Sequence, residues 1–177
     1  MEPVSIRTKN PGAMWPGSVS QRFGSTGWIP CGGNNKCAVF PTFEQGAAAQ
    51  FYLWATRYSP MKLSEAIFRW SGQNSSAAYT AFLSKRVPGI TLDTVITRTF
   101  LESESGLLFM KAQAQWEAGQ PYPMTDAQWR KGQVLAFGSP PPDIEPPIQI
   151  PVPEQKTFWR ELIEAIASIL TQLFRRK

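Results

Sequence analysis

The chain has 177 residues, 42% hydrophobic and 12% aromatic, which is enough apolar surface for one folded core and excludes a disordered polymer. It contains no histidine, so Ser-His-Asp and Cys-His catalysis, His-ligated zinc and histidine proton shuttles are excluded together. The net charge is +5, and the whole excess lies in residues 1–137, where 13 Lys/Arg face 8 Asp/Glu, which suits an anionic partner.

In chain order, the first 40 residues are rich in Gly, Pro, Asn and Ser and read as ordered loops with a short hairpin. The opening MEPVSIRTKN lacks the apolar core of a signal peptide, and no apolar run reaches 18 residues, so neither signal-peptide export nor a membrane span is expected. The two cysteines, in Cys31-Gly-Gly-Asn-Asn-Lys-Cys37, cannot make a four-ligand zinc site. They are either free thiols or a disulfide closing a loop that can bend back on itself, and a disulfide would place the protein in an oxidising compartment.

Helices then dominate. "TFEQGAAAQFYLWATRY" opens with a capping box from Thr42 to Gln45 and spaces Phe51, Trp54, Ala55 and Tyr58 helically. "KLSEAIFRW" gathers Leu63, Ile67 and Trp70 on one face. "SSAAYTAFLSKRV" starts at a Ser cap and stops before Pro88-Gly89. A helix from Gly106, capped by Ser103 or Ser105, precedes "TDAQWRKGQVLAF" with its capping box from Thr125 to Gln128. Residues 138–156 carry seven prolines and read as an extended linker. Residues 157–177 form an amphipathic helix with Trp159, Leu162, Ile163, Ile166 and Leu170 on one stripe and a basic end. That stripe can dock on another protein chain, lie on a membrane surface, or pack on its own domain.

Without histidine, any hydrolytic chemistry falls mainly to carboxylates. Glu65 reads as solvated, and Glu102, Glu104 and Asp126 sit before or in first helical turns. Glu44 is also in a first turn, where the helix dipole favours the ionised form, so it suits a base or an electrostatic partner. Glu117 is different. It continues the apolar stripe of Leu107, Met110 and Ala114 and stands at the C-terminal end of its helix, where dipole and burial both raise a carboxyl pKa. A carboxyl protonated near neutral pH is what glycosidic bond cleavage needs; the plainer reading is a helix-end Glu bonded to a neighbour. "SGQNSS" (71–76) offers amides for a sugar, or caps for the helix that follows.

The segments "IRTKNPGAMWPG", "CAVFPTFEQGAAAQFYLWATRY", "AIFRWSGQNSSAAYTAFLSKRVPGI" and "KAQAQWEAG" resemble a family of phage virion-associated and prophage lysozyme-like peptidoglycan hydrolases, over residues 6–137. A looser likeness joins Asn10, Gly12, Trp15, Phe40, Phe43, Arg57 and Tyr58 to bacterial glucosaminidases of the lysozyme superfamily, with the order of elements permuted. The resemblance implies a mainly α, lysozyme-like domain over 1–137 that cleaves the glycan strands of bacterial peptidoglycan, as a lytic transglycosylase or a muramidase. Glu117 would be the general acid and Glu44 the second carboxylate where one is used. Asn10, Gln73, Asn74 and Tyr79 would line the glycan cleft, with no metal or other cofactor.

The linker and terminal helix then fit an enzyme tethered to another virion protein or a membrane surface, working in a phage particle or at the host periplasm and cell wall. The rival expectation is a non-catalytic virion structural or assembly protein that keeps the fold. Nucleic acid is disfavoured, because the globular part has only two basic pairs, Lys85-Arg86 and Arg130-Lys131, and no basic recognition helix.

Overall fold

The computed structural model describes residues 2–72 and 76–138, Ser76 by its backbone alone. The chain divides into two units, Met1–Pro141 and Pro142–Lys177. The expected terminal helix (157–177) and, apart from Gly138, the expected linker (138–156) lie outside the described residues, as do Gln73 and Asn74. The described part is mainly helical with one two-stranded sheet, and no helix in it is long and apolar enough to cross a membrane.

The loop-rich start holds two short helices, α1 (Val4–Arg7) and α2 (Ser18–Arg22), and a hairpin of β1 (Gly27–Pro30) and β2 (Lys36–Val39). The strands are antiparallel, with Trp28 opposite Ala38 and Ile29 opposite Cys37. A disulfide joins Cys31 to Cys37, which decides between the two readings of that loop. Gly32 and Gly33 make the turn at φ +117° and +53°, backbone that glycine adopts without steric cost. Met14, Ala38, Phe40 and Ala49 form a small core that fastens this segment to the helices.

α3 (Phe43–Leu53) begins as its sequence predicts, with Thr42 Oγ1 accepting from the Gln45 backbone N–H at 3.2 Å. It does not continue regularly to Tyr58: residues Trp54–Tyr58 widen into a π-helical turn. There the Trp54 and Tyr58 rings meet at 4.7 Å, while Trp54 packs on Trp70 at 5.3 Å and Phe109 at 4.8 Å. α4 (Leu63–Trp70) and α5 (Ser76–Arg86) follow.

A short helix the sequence reading did not include, α6 (Arg98–Glu102), is capped by Thr97. α7 (Glu104–Ala118) takes Ser103 as its cap and ends at Gly119, φ +66°. α8 (Asp126–Phe137) has the expected capping box from Thr125. Small residues bring α3 and α8 together: a Cβ added at Gly132 would lie 2.7 Å from that of Ala47. The main core, with Phe51, Trp54, Ile67, Leu83, Phe109 and Met110 at its centre, is shared by α3, α4, α5 and α7.

Candidate active site

α7 places its apolar stripe as the spacing predicts: Leu107, Met110 and Ala114 are buried, and Glu117 follows them in the last turn. The carboxyl is half-buried. Its Oε1 accepts two hydrogen bonds from neutral donors, Trp70 Nε1 at 2.8 Å and the Tyr79 hydroxyl at 2.9 Å. Trp70 is the last residue of α4 and Tyr79 lies in the first turn of α5, so three helices converge on one oxygen.

Aromatic packing fixes both donors. The Trp116 ring stacks on Tyr79 at 4.6 Å, and Trp70 is held between Trp54 and Tyr58. The N-terminal loop closes on the same wall, since a Cβ on Gly12 would stand 3.1 Å from the Trp70 ring.

Burial pushes the Glu117 carboxyl above its ordinary range, and the Trp70 and Tyr79 hydrogen bonds pull the other way without reversing it. Among the described residues no charged side chain contributes to that balance. Tyr79 is itself raised well above the usual phenol range, by its own burial first and then by Glu117, so its hydroxyl stays protonated and donates. A carboxyl in this setting can carry a proton to higher pH than a solvated Glu.

The other acids are differently placed. Asp93, Glu65, Glu102, Asp126 and Glu104 pair with Lys62, Arg69, Arg98, Lys111 and Arg130 at the surface, contacts that contribute little to stability. Glu44 is held below the ordinary carboxylate range, chiefly by its own backbone N–H at the start of α3, then by Gln128 and Lys131 of α8. It is ionised, as a first-turn position implies. However, its partners Thr42, Gln128 and Lys131 are not those of Glu117, so the contacts of the two carboxylates do not meet.

Two of the expected cleft residues need correction. Asn10 does not line a cleft: it is fully buried, its Nδ2 donates to the carbonyls of Met14 and Ala38, and its Oδ1 accepts from the Met14 N–H. Those bonds consume the groups a sugar would need, because the loop and β2 each require a partner for buried backbone. Tyr79 does reach Glu117 but is 1% exposed, so it holds the carboxyl rather than presenting a face to a ligand. Gln73 and Asn74 lie outside the described residues.

The sequence reading missed Gln50 and Gln113, fully buried and hydrogen-bonded to each other between α3 and α7. Gln113 stands one turn before Glu117 and acts on the Tyr79 hydroxyl, although its Nε2 makes no hydrogen bond of ordinary geometry. A glutamine on an apolar helix face is the signal that was present. A separate cavity of about 260 Å³ lies on the opposite side of α7, lined by Leu108, Lys111, Gln115, Tyr122 and Trp129. Neither the family models nor the curated proteins contain a match to this chain. The reading of Glu117 therefore rests on its geometry.

Proposed function

We propose that this chain cleaves the glycan strands of bacterial peptidoglycan on a lysozyme-like helical domain, with Glu117 as the general acid. The observation that carries the reading is the half-buried carboxyl at the end of α7, raised by burial and, among the described residues, hydrogen-bonded by the neutral donors Trp70 and Tyr79 alone. Cleavage needs a proton on the leaving oxygen, and a carboxyl that keeps its proton toward neutral pH supplies it. Among the described residues no charged group acts on Glu117, which favours a mechanism with one carboxylate. The same residue gives the proton and then takes one back as the sugar closes on itself, as in a lytic transglycosylase. A hydrolase with two carboxylates needs a partner about 5–9.5 Å away, and the Glu44 contacts point to α8 instead. The Cys31–Cys37 disulfide supports action in an oxidising compartment, such as the periplasm or cell wall.

The test is mass spectrometry of fragments released from purified sacculi by the full chain and by Glu117→Gln. Anhydro-muramic ends that disappear with the substitution support the transglycosylase; reducing ends support a hydrolase and require a second carboxylate. Equal release by both proteins removes Glu117 as the acid. A non-catalytic virion or assembly protein remains the second reading, because a carboxylate joining α4, α5 and α7 also works as a structural tie. Absence of any release by a folded wild type would favour it.

A further inference from the structure

Two glutamines are sealed in the apolar interior beside the candidate site. Gln50 of α3 and Gln113 of α7 are both fully buried, and Gln50 Nε2 donates to Gln113 Oε1. The pair is incompletely satisfied, since Gln50 Oε1 and Gln113 Nε2 make no hydrogen bond of ordinary geometry. A buried amide pair in that state adds little to stability, and two apolar side chains of the same shape would serve the fold as well. The position of the pair gives it another task.

Gln113 stands one turn before Glu117 on α7. Side chains of a helix lean toward its N-terminus, so the Glu117 carboxyl leans back toward Gln113. Tyr79 of α5 packs on this stretch of α7, with its ring stacked on Trp116 at 4.6 Å and its hydroxyl on Glu117 Oε1 at 2.9 Å. Gln113 acts on that hydroxyl in the sense that favours the phenolate, which is the action of an N–H donor and not of a carbonyl. The Gln50 stem belongs to the same wall: a Cβ on Gly12 would stand 3.2 Å from Gln50 Cγ and 3.1 Å from the Trp70 ring.

We propose that Gln50 and Gln113 are positioning residues that aim the Tyr79 proton at Glu117. Gln50 holds the one oxygen of the Gln113 amide on its own side, which turns the nitrogen toward Tyr79. The phenol has a single proton, and facing an N–H group on one side it gives that proton to the carboxyl on the other. Without Gln50 the Gln113 carbonyl becomes a buried acceptor that has lost its donor. It can then turn to the Tyr79 hydroxyl and compete with Glu117 for the proton. The catalytic consequence rests on the function proposed above, because it matters to a general acid where its carboxyl titrates; the geometry does not rest on it.

The test is ¹³C NMR titration of the Glu117 carboxyl carbon in the full chain. Gln50→Met is expected to raise the midpoint by about half a pH unit, part of the loss of a hydrogen bond to a charged group. Adding Gln113→Met is expected to bring the midpoint back toward wild type, because Tyr79 again has one acceptor, with the melting temperature unchanged or higher. In a Tyr79→Phe background Gln50→Met is expected to move nothing. Among the described residues the titratable group facing Glu117 is Tyr79, from α5; α4 presents the Trp70 indole, and no charged side chain acts on the carboxyl. The shift therefore reads the Tyr79 bond.

A midpoint unmoved in folded Gln50→Met overturns the proposal, and so does a shift that survives in the double variant or in the Tyr79→Phe background. Should Gln50→Met not fold, wild type decides: NOEs from the Gln113 side-chain NH2 protons to the Tyr79 ring edge are expected, and their absence overturns it. Release from sacculi is scored separately. A general acid fails as pH rises through its own midpoint, so the high-pH limb of release is expected to move upward with Gln50→Met by the same amount. The expected midpoints without any release by wild type remove the catalytic reading alone. Glu117-dependent release with an unmoved midpoint removes this positioning alone.

Discussion

Replacing Trp70 by Phe removes one of the two donors on Glu117 Oε1 while keeping a ring between Trp54 and Tyr58. The indole N–H holds the carboxyl lower than burial alone would, so its loss leaves burial less opposed and Glu117 titrates at higher pH. A hydrogen bond to a charged group contributes about 1.5–3 kcal/mol, and one pH unit corresponds to about 1.4 kcal/mol. Glu117 is only half-buried, so water compensates part of the loss and the lower end applies. The titration midpoint is expected to rise by roughly one pH unit. The assay is ¹³C NMR titration of the Glu117 carboxyl carbon in wild type and Trp70→Phe. An unchanged or lowered midpoint in a folded variant would refute the reasoning, because it would mean that the indole does not stabilise the carboxylate.

Glu117→Gln should alter stability in a defined pH window. The folded carboxyl binds its proton more tightly than the unfolded chain, whose value is near 4.5. Its stabilising contribution is therefore complete below that pH and is lost as pH rises through the raised folded value. Urea melts of the variant should show that decline removed. Asn10→Ala strands the Ala38 carbonyl and the Met14 N–H in the interior, while the Met14 carbonyl keeps the Ala38 N–H, and should lower unfolding free energy by about 2–4 kcal/mol, measured by urea melts. Gly132→Ala gains helix propensity of about 1 kcal/mol but drives a methyl against Ala47, at about 1–3 kcal/mol, so the net expectation is a lower urea midpoint. Cys31→Ser with Cys37→Ser opens a loop of sequence separation 6 and should cost about 2 kcal/mol by chain entropy, seen as a lower melting temperature.

What was legible in the sequence was what short range determines. Thr42, Ser103 and Thr125 cap their helices because a cap is settled within three residues of chain. The Glu117 stripe was visible for the same reason, since Leu107, Met110 and Ala114 recur at helical spacing. The residues that give Glu117 its properties were not visible. Trp70 and Tyr79 lie 47 and 38 positions away, and nothing local marks either as a donor. Asn10 misled for a related reason. An amide in a Gly/Pro-rich loop looks available to a ligand, but a carbonyl 28 residues on had already taken one of its N–H groups. The π-helical turn at Trp54 was also hidden, because its rings answer to Trp70 and Phe109 rather than to the period of their own helix.

A structural tie and a general acid use the same burial differently, and the two oxygens of Glu117 separate them. A tie is strongest when both oxygens are bonded, since an unpartnered buried acceptor costs more than a bond returns. Here both donors fall on Oε1, and among the described residues none reaches Oε2. Nor is Oε2 among the sealed, unpartnered atoms of the interior, which are Ser5 Oγ, Gln50 Oε1, Trp54 Nε1 and Gln113 Nε2. On the reading of Glu117 as an acid, Oε2 is the oxygen that a leaving group would meet. With Oε1 occupied by two N–H and O–H donors, a proton on the carboxyl belongs on Oε2, because Oε1 already accepts twice. If Glu117 is the acid, the two donors on Oε1 leave Oε2 to carry the proton, an orientation that a tie would not need. If Tyr79→Phe abolishes release from sacculi while the fold survives, the donors serve the chemistry. If release is lost only in proportion to folded protein, they serve the fold.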